Sequence, residues 1–479
     1  MDIFGKVLLG LAGLVLLPLL AALIRTLLRP PKHSRWQPAA DSARESAYAQ
    51  KLSRMVRVET VSLPDTDQRE KFLRFHSLLE ELFPLVHRHL EKTEIDGSLL
   101  FFWEGRSHER PVVLMGHQDV VPAEGEWLHE PFSGDIADGK VWGRGSADTK
   151  CSVMAFFQAV EELLAEGFVP EQDVYLSSSC TEEVGGSGCP KLVAELQRRG
   201  VRPYLVCDEG GAIVEEPIGG IRGRYAMIGV LEKGQGNLRI SARSRGGHSS
   251  YPPRRSPIAR LAAFVMELEK HDPMKLAFEP EVEAMFRTLS DYGPFHYRLL
   301  FGNLWLFKPL LKRLMPALSA QAAALLKTTV AFTMQSGSDA ANVLPQEATL
   351  TLNLRYIPHQ DMDESNAIIR SLAEKHALET ELLWAYPACP PVNIRSEAYH
   401  LVEEAIARCF PGLPCCPYVM TGGTDARFYQ KISDACIRFS PVIYGPEQMK
   451  GMHGLNENID TCSLPGAVDF YKTLIRLNR

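Results

Sequence analysis

From Ser42 onward, short apolar runs alternate with segments of helical period, and acidic or histidine residues stand directly after several of the runs. A short apolar run bounded by turn residues suits a strand buried on both faces, the central position of a parallel sheet. Arg110–Gly116 (RPVVLMG), Asp173–Ser179 and Tyr204–Cys207 read as such strands. Ala47–Val56, Gln68–Leu82 and Cys151–Glu166 read as helices between them. Strands of this kind separated by helices confine the chain to a layered α/β architecture, whose ligands bind at the carboxyl ends of the strands.

The pattern changes at Glu232-Lys233-Gly234. A strand at Leu238–Ser244, a helix at Pro257–Lys270, strands at Lys327–Met334 and Glu347–Tyr356, a helix at Asp363–His376 and a strand at Leu378–Ala385 follow in the order β-α-β-β-α-β. That order is the ferredoxin-like unit. The α/β pattern resumes after Pro387. The expected fold is therefore a large, mostly parallel-sheet α/β domain with an inserted ferredoxin-like α+β unit. The expected division is 1–40 (anchor and linker), 41–231 (first part of the large domain), 232–387 (inserted unit) and 388–479 (second part). Within the insertion, Pro273–Leu326 is an extra segment rich in Phe, Leu, Trp and Tyr.

Val7–Ile24 carries no charge and is flanked by Lys6 and Arg25, long enough to cross a bilayer core. No small-x-small cleavage pattern follows it, so a single-pass N-terminal membrane anchor is expected, with its side undetermined. The balance of 52 Lys+Arg against 58 Asp+Glu argues against a nucleic-acid partner. The 10 cysteines form no repeated C-x-x-C pair and read mostly as buried thiols.

The candidate site residues fall at strand ends. His117 and Asp119, two apart in an extended stretch, can project to one side, the imidazole toward a metal and the carboxylate toward the other ring nitrogen or the reaction centre. Asp148 follows Gly143-Arg144-Gly145 and precedes a helix, where its plainest role is an N-cap. Glu182 and Glu183 end one strand, and Asp208 and Glu209 another. In such a pair one side chain can ligate while its neighbour faces the water to be activated. His453 lies in Met452-His453-Gly454-Leu455-Asn456-Glu457. Nitrogen and oxygen donors without sulfur suit zinc, with manganese or cobalt as alternatives, in a catalytic site.

Gly116-His117-Gln118-Asp119-Val120-Val121-Pro122, Trp127 with Pro131-Phe132, Gly143-Arg144-Gly145 with Asp148-Thr149-Lys150, Glu182-Glu183 and His453-Gly454 together resemble the co-catalytic zinc family of aminoacylases and carboxypeptidases. That family includes glutamate carboxypeptidase, carboxypeptidase S and succinyl-diaminopimelate desuccinylase. The likeness spans roughly residues 45–479. Glu232-Lys233-Gly234, Gly247-His248-Ser249-Ser250, Trp305-Leu306-Phe307 and His453-Gly454-Leu455-Asn456-Glu457 resemble its N-acyl-aromatic-amino-acid synthase/hydrolase branch.

The resemblance implies two Zn2+ per chain. Asp148 would be shared, with His117 and Asp208 completing one site and Glu183 and His453 the other. Asp119 would orient His117, and Glu182 would be the general base toward a water acidified by both cations. It further implies an inserted unit that acts as lid and dimerisation domain. There His248 would help stabilise the tetrahedral oxyanion, often from a partner subunit. Asn342, Arg355, Gly423, Thr424 and Arg427 would contact substrate. Arg355 could fork onto a carboxylate, whereas Arg427 has the alternative of pairing with Asp425 or Glu457. The implied activity is hydrolysis of the amide bond of N-acyl amino acids, reversibly, and the aromatic insertion together with the expected membrane anchor favours fatty-acyl groups. Cleavage of dipeptides or short peptides, as a dipeptidase or carboxypeptidase, is the alternative on the same site. A non-catalytic membrane-tethered binding protein is the reading from another class. It conflicts with the presence of every implied ligand and of Glu182.

Overall fold

The computed structural model describes residues 3–64 and 69–479, with side chains in the first helix from Leu14 on. Among these residues a 10-stranded sheet forms the centre of the large domain. Its middle strands, Gln172–Ser178, Ser107–Met115, Leu205–Asp208 and Cys436–Arg438, lie side by side and run parallel. Antiparallel pairs flank them, Glu91–Ile95 with Ser98–Trp103 at one side and Ala212–Glu215 with Arg224–Glu232 at the other. Alternation along a strand sends neighbouring side chains to opposite faces. Val112 and Leu114 join the core under helices Ser42–Val56, Lys150–Ala165 and Leu464–Leu477, while Val113 and Met115 join the core under Gly188–Arg198. Both faces are thus covered, which is why the central runs carry no alternation of polarity.

The inserted unit is a 4-stranded antiparallel sheet ordered Thr329–Ser336, Glu347–Tyr356, Gly234–Arg243, Glu379–Tyr386. Helices Pro257–Lys270 and Met362–Lys375 contribute Leu261, Phe264, Ile369 and Leu372 to a core shared with Leu238, Ile240, Leu352 and Leu354. Gly234 sits where the chain enters this unit. A Cβ there would lie 2.4 Å from the backbone nitrogen of Ala388, on the segment by which the chain leaves.

Among the described residues, and apart from Met274, the aromatic segment adds nothing to the core of the inserted unit. Its helices Pro280–Ser290, Phe295–Phe301 and Leu304–Leu318 return to the large domain. Val282, Phe286, Phe301 and Leu304 pack there against Tyr225, Met227 and Leu231 of strand Arg224–Glu232 and against Cys416 and Val419. Phe286 and Phe301 stack with centroids 4.5 Å apart. The buried Lys233 Nζ donates to Ala324 O and Lys327 O at 2.9 and 2.8 Å, fixing the end of this segment to the entry of the inserted unit.

The expected membrane anchor is corrected. Among the described residues no helix is long and apolar enough to cross a membrane. The first helix runs Ile3–Leu28, and the side chains of residues 7–13 of the expected span lie outside the described set. Its later turns are docked on protein: Ala22 and Thr26 are buried, and Asn303 Nδ2 donates to Thr26 Oγ1 at 3.0 Å. Arg298 donates to Thr26 O at 2.8 Å. The following stretch, read as a polar linker, is also held, with Trp36 edge-on to Phe410 at 5.6 Å and Lys32 paired with Asp291 at 3.0 Å. All 10 cysteines are free thiols.

Candidate active site

The carboxyl ends of the central parallel strands converge on one buried cluster. His117 leaves strand Ser107–Met115, and its Nε2 lies 3.1 Å from Asp148 Oδ1. Asp148 precedes helix Lys150–Ala165, and its peptide bond to Thr149 is cis. The other oxygen of Asp148 lies 3.0 Å from His453 Nε2, which is also 3.1 Å from Glu183 Oε2. Asp148 therefore belongs to two groups able to hold a cation, one with His117 and Glu209, the other with Glu183 and His453. His453 closes the cluster from the solvent side, its side chain 56% exposed against 4% for Glu183.

At the strand end where Asp208 is the expected ligand, two adjacent carboxylates take different places. Glu209, not Asp208, stands with His117 and Asp148. Asp208 is still paired in the sheet, opposite Arg438. Its Oδ1 accepts the Glu209 N–H at 2.9 Å and its Oδ2 the Ala426 N–H at 2.8 Å. Its carboxylate thus ties the strand end to the 422–427 loop.

Asp119 reaches His117 through its main chain as well as its side chain. The His117 Nδ1 contact is shorter to the Asp119 carbonyl, 2.8 Å, than to its carboxylate, 3.5 Å. The fully buried carboxylate accepts the backbone N–H of both Glu182 and Glu183 at 3.1 Å and the Ser62 hydroxyl at 2.7 Å. It thereby fixes the turn that presents the two glutamates.

The electrostatics fit divalent cations. Burial raises the carboxyls of Glu183, Asp208 and Glu209, holds that of Glu182 well above the usual range, and lifts Asp425 to about 7. His453 is raised to about 10 by its bonds to Asp148 and Glu183. His117 is raised against its burial by Asp119 and Asp148. Asp148 is held well below the carboxylate range by both imidazoles, although burial works against it. Without metal, imidazolium and retained protons neutralise the charge that cations would neutralise when bound. Glu183 Oε1 is buried with no hydrogen-bond partner, an open ligand position. The residues fit a pair of metal ions.

A second polar group forms where the inserted unit meets the large domain. Arg355 donates to Gln235 Oε1 at 2.7 Å. A Cβ on Gly423 would lie 2.9 Å from Arg427 Nη1, 3.3 Å from Glu232 Oε1 and 3.4 Å from Gln235 Nε2. Thr424 Oγ1 donates to Glu232 Oε2 at 3.0 Å, and the buried Arg438 pairs with the same oxygen. Arg427 pairs with neither Asp425 nor Glu457. Its guanidinium lies over Phe428 and Tyr386, and its Nε is buried without a partner. The structure thus gathers Arg355, Gly423, Thr424 and Arg427.

His248 and Asn342 stand elsewhere. The short strand Gly247–His248 pairs with Val343–Leu344, and Ser249 N donates to Asn342 O at 3.1 Å. His248, bonded to Ser250 Oγ at 2.8 Å, lines a groove formed entirely by the inserted unit with Arg254, Arg255 and Tyr251. Sequence reasoning passed over Ser62 and Gln235, which no motif marks, and gave Glu232 no role at the site although it opens the quoted Glu232-Lys233-Gly234 motif. It also gave Glu457 no role at the cluster, although Glu457 ends the quoted His453 motif.

Two groups of histidine and carboxylate sharing one aspartate, at the strand ends of an α/β sheet with an inserted α+β unit, define a metallohydrolase. The chain belongs to peptidase family M20/M25/M40, whose model matches residues 113–477. It is 34% identical over 480 residues to the N-fatty-acyl-amino acid synthase/hydrolase PM20D1 of Xenopus tropicalis, covering 97% of this chain and 93% of that one. It is also 34% identical over 447 residues to the probable carboxypeptidase S-like 2 of Dictyostelium discoideum, covering 89% and 84%. Among solved structures, an M20 family metallo-carboxypeptidase from Sulfolobus solfataricus matches with a TM-score of 0.68 at 18% identity, covering 92% of this chain and 99% of that chain.

Proposed function

We propose that this enzyme hydrolyses, and in reverse forms, the amide bond of N-acyl amino acids, with long-chain acyl groups among its substrates, and that it uses two zinc ions. The observation that carries this reading is the pair of groups sharing Asp148, in a chain that also presents Glu182 next to Glu183 and gathers Arg355 and Arg427 about Gly423. The similarity to the Xenopus synthase/hydrolase supports the substrate class.

His117, Asp148 and Glu209 would hold one ion, and Asp148, Glu183 and His453 the other, with manganese or cobalt as substitutes for zinc. The ions, when bound, supply Lewis-acid chemistry, acidifying water and polarising the amide carbonyl. Glu182 takes the proton from the attacking water and delivers it to the leaving amine. A buried carboxyl with a raised proton affinity suits the second step as well as the first. Arg355 and Arg427 bind the free carboxylate of the amino acid, Arg427 through its unpartnered edge. Gly423 leaves room beside them, and Thr424 and Arg438 both engage Glu232 Oε2.

In this proposal residues 41–231 and 388–479 form the catalytic domain and 232–387 the lid. His248 and Asn342, together on the lid and apart from the cluster, would serve the site of a second copy in a homodimer joined through the lid.

The carboxypeptidase S-like relative favours a second reading, cleavage of dipeptides and short peptides. A panel of N-oleoyl-phenylalanine, N-acetyl-phenylalanine and hydrophilic dipeptides, assayed for released amino acid, separates the two. The expected result is a kcat/KM at least tenfold higher for the acyl-phenylalanines. A preference for hydrophilic dipeptides would sink the N-acyl reading and leave the peptidase one.

A further inference from the structure

Arg144 and Glu457 belong to neither metal-holding group, yet they join the two loops that supply Asp148 and His453. Glu457 is fully buried, and its Oε1 accepts three backbone N–H groups, from Gly145 at 3.0 Å, Ala147 at 2.9 Å and Asp148 at 3.0 Å. Its Oε2 accepts from Arg144 Nη1 at 2.7 Å. Arg144 Nη2 donates to Gly454 O at 2.8 Å, and Gly143 N donates to Glu457 O at 2.8 Å. One carboxylate and one guanidinium therefore bind the loop before Asp148 to the loop after His453 from both directions. The N–H groups converge because Gly143 and Gly145 hold φ of 135° and 87°, a backbone that a side chain would oppose. On the other loop, His453 and Asn456 themselves take φ of 55° and 60°.

We infer that Arg144 and Glu457 are positioning residues. Their clamp sets the separation of Asp148 from His453, and with it the geometry of the group formed by Asp148, Glu183 and His453. The inference rests on the two-metal reading above, but not on its choice of substrate. Neither residue offers an atom to either metal-holding group. The clamp acts through the backbone of one ligand and the loop of another, as the supporting shell of a metal site does. Three N–H groups on Oε1 and one arm of the Arg144 fork on Oε2, its other arm on Gly454 O, make a stiff junction. A carboxamide cannot replace it, because its NH2 would face the Arg144 guanidinium.

The test uses the full chain with cobalt(II) as the probe, in the absence of substrate. Glu457→Gln and Arg144→Lys are compared with the unaltered protein by cobalt titration, visible absorption and thermal unfolding. The expected result is a folded Glu457→Gln protein that binds one cobalt equivalent at least tenfold more weakly. Its cobalt absorption is altered, and the other equivalent is less affected. With substrate, kcat falls more than KM rises. A merely structural role lowers the unfolding temperature and leaves affinity and spectrum of the folded protein unchanged, and that outcome overturns the inference. If Glu457→Gln does not fold, Arg144→Lys carries the same readings, since it keeps the charge and loses the fork. Unaltered protein that binds fewer than two equivalents overturns the two-metal reading and the clamp together. Failure on the acyl-amino-acid panel with two equivalents bound overturns only the substrate class.

Discussion

Replacing Glu182 by Gln is expected to lower kcat by about 10²–10⁴-fold, the usual worth of a general acid–base, while metal content stays at the level of the unaltered protein. Glu182 is in neither metal-holding group, so removing its charge leaves both groups complete. Its backbone N–H remains bound to Asp119 Oδ1, so the amide side chain starts from the same place. The amide cannot accept the water proton or return one to the leaving amine. Elemental analysis and a turnover assay on the same sample check both halves. Retained turnover would remove Glu182 from the mechanism. Loss of metal together with turnover would make it a ligand instead of the base.

The adjacent carboxylates Asp208 and Glu209 should separate sharply. Glu209→Gln is expected to lose tightly bound metal and nearly all activity, because the buried group with His117 and Asp148 keeps only two of its donors. Asp208→Asn is expected to retain metal. Its cost is a weakened hold on the Glu209 and Ala426 N–H groups, about 1–3 kcal/mol of stability. Metal analysis and thermal unfolding of the two proteins report the difference. The reverse pattern, with metal lost from Asp208→Asn and kept in Glu209→Gln, would restore Asp208 as the ligand.

That pair also shows where reading the sequence stops. Hydrophobic period located the elements well: the expected helix at Pro257–Lys270 and strand at Glu347–Tyr356 have those limits in the structure. Strand ends located His117 and Glu183, and loop motifs located Asp148 and His453; the structure brings all four together. Consecutive residues at a strand end face opposite ways, and spacing along the chain does not say which faces the cluster. Asp208 is still held by the strand beside it, and only the pairing with Arg438 reveals that. Period says equally little about partners far along the chain. The aromatic segment read as part of the inserted unit because it lies within it in sequence, yet its buried face matches strand Arg224–Glu232. Val7–Ile24 read as a membrane span from its lack of charge, whereas Thr26, just beyond it, is buried on Asn303. Glu457 was invisible as a positioning group because three of the four groups bonded to its carboxylate are backbone N–H groups, which leave no mark on the sequence, and the fourth, Arg144, lies far away along the chain.

Metal titration of turnover tests the two-metal hydrolase most directly. Protein freed of metal by chelation and dialysed is given zinc in steps, and hydrolysis of N-acyl-phenylalanine is followed against zinc bound per chain. Activity absent without zinc and reaching its plateau as the second equivalent binds is the expected result. Full activity in the chelated protein, or a plateau at one equivalent, would contradict a site in which Asp148 is shared between two ions.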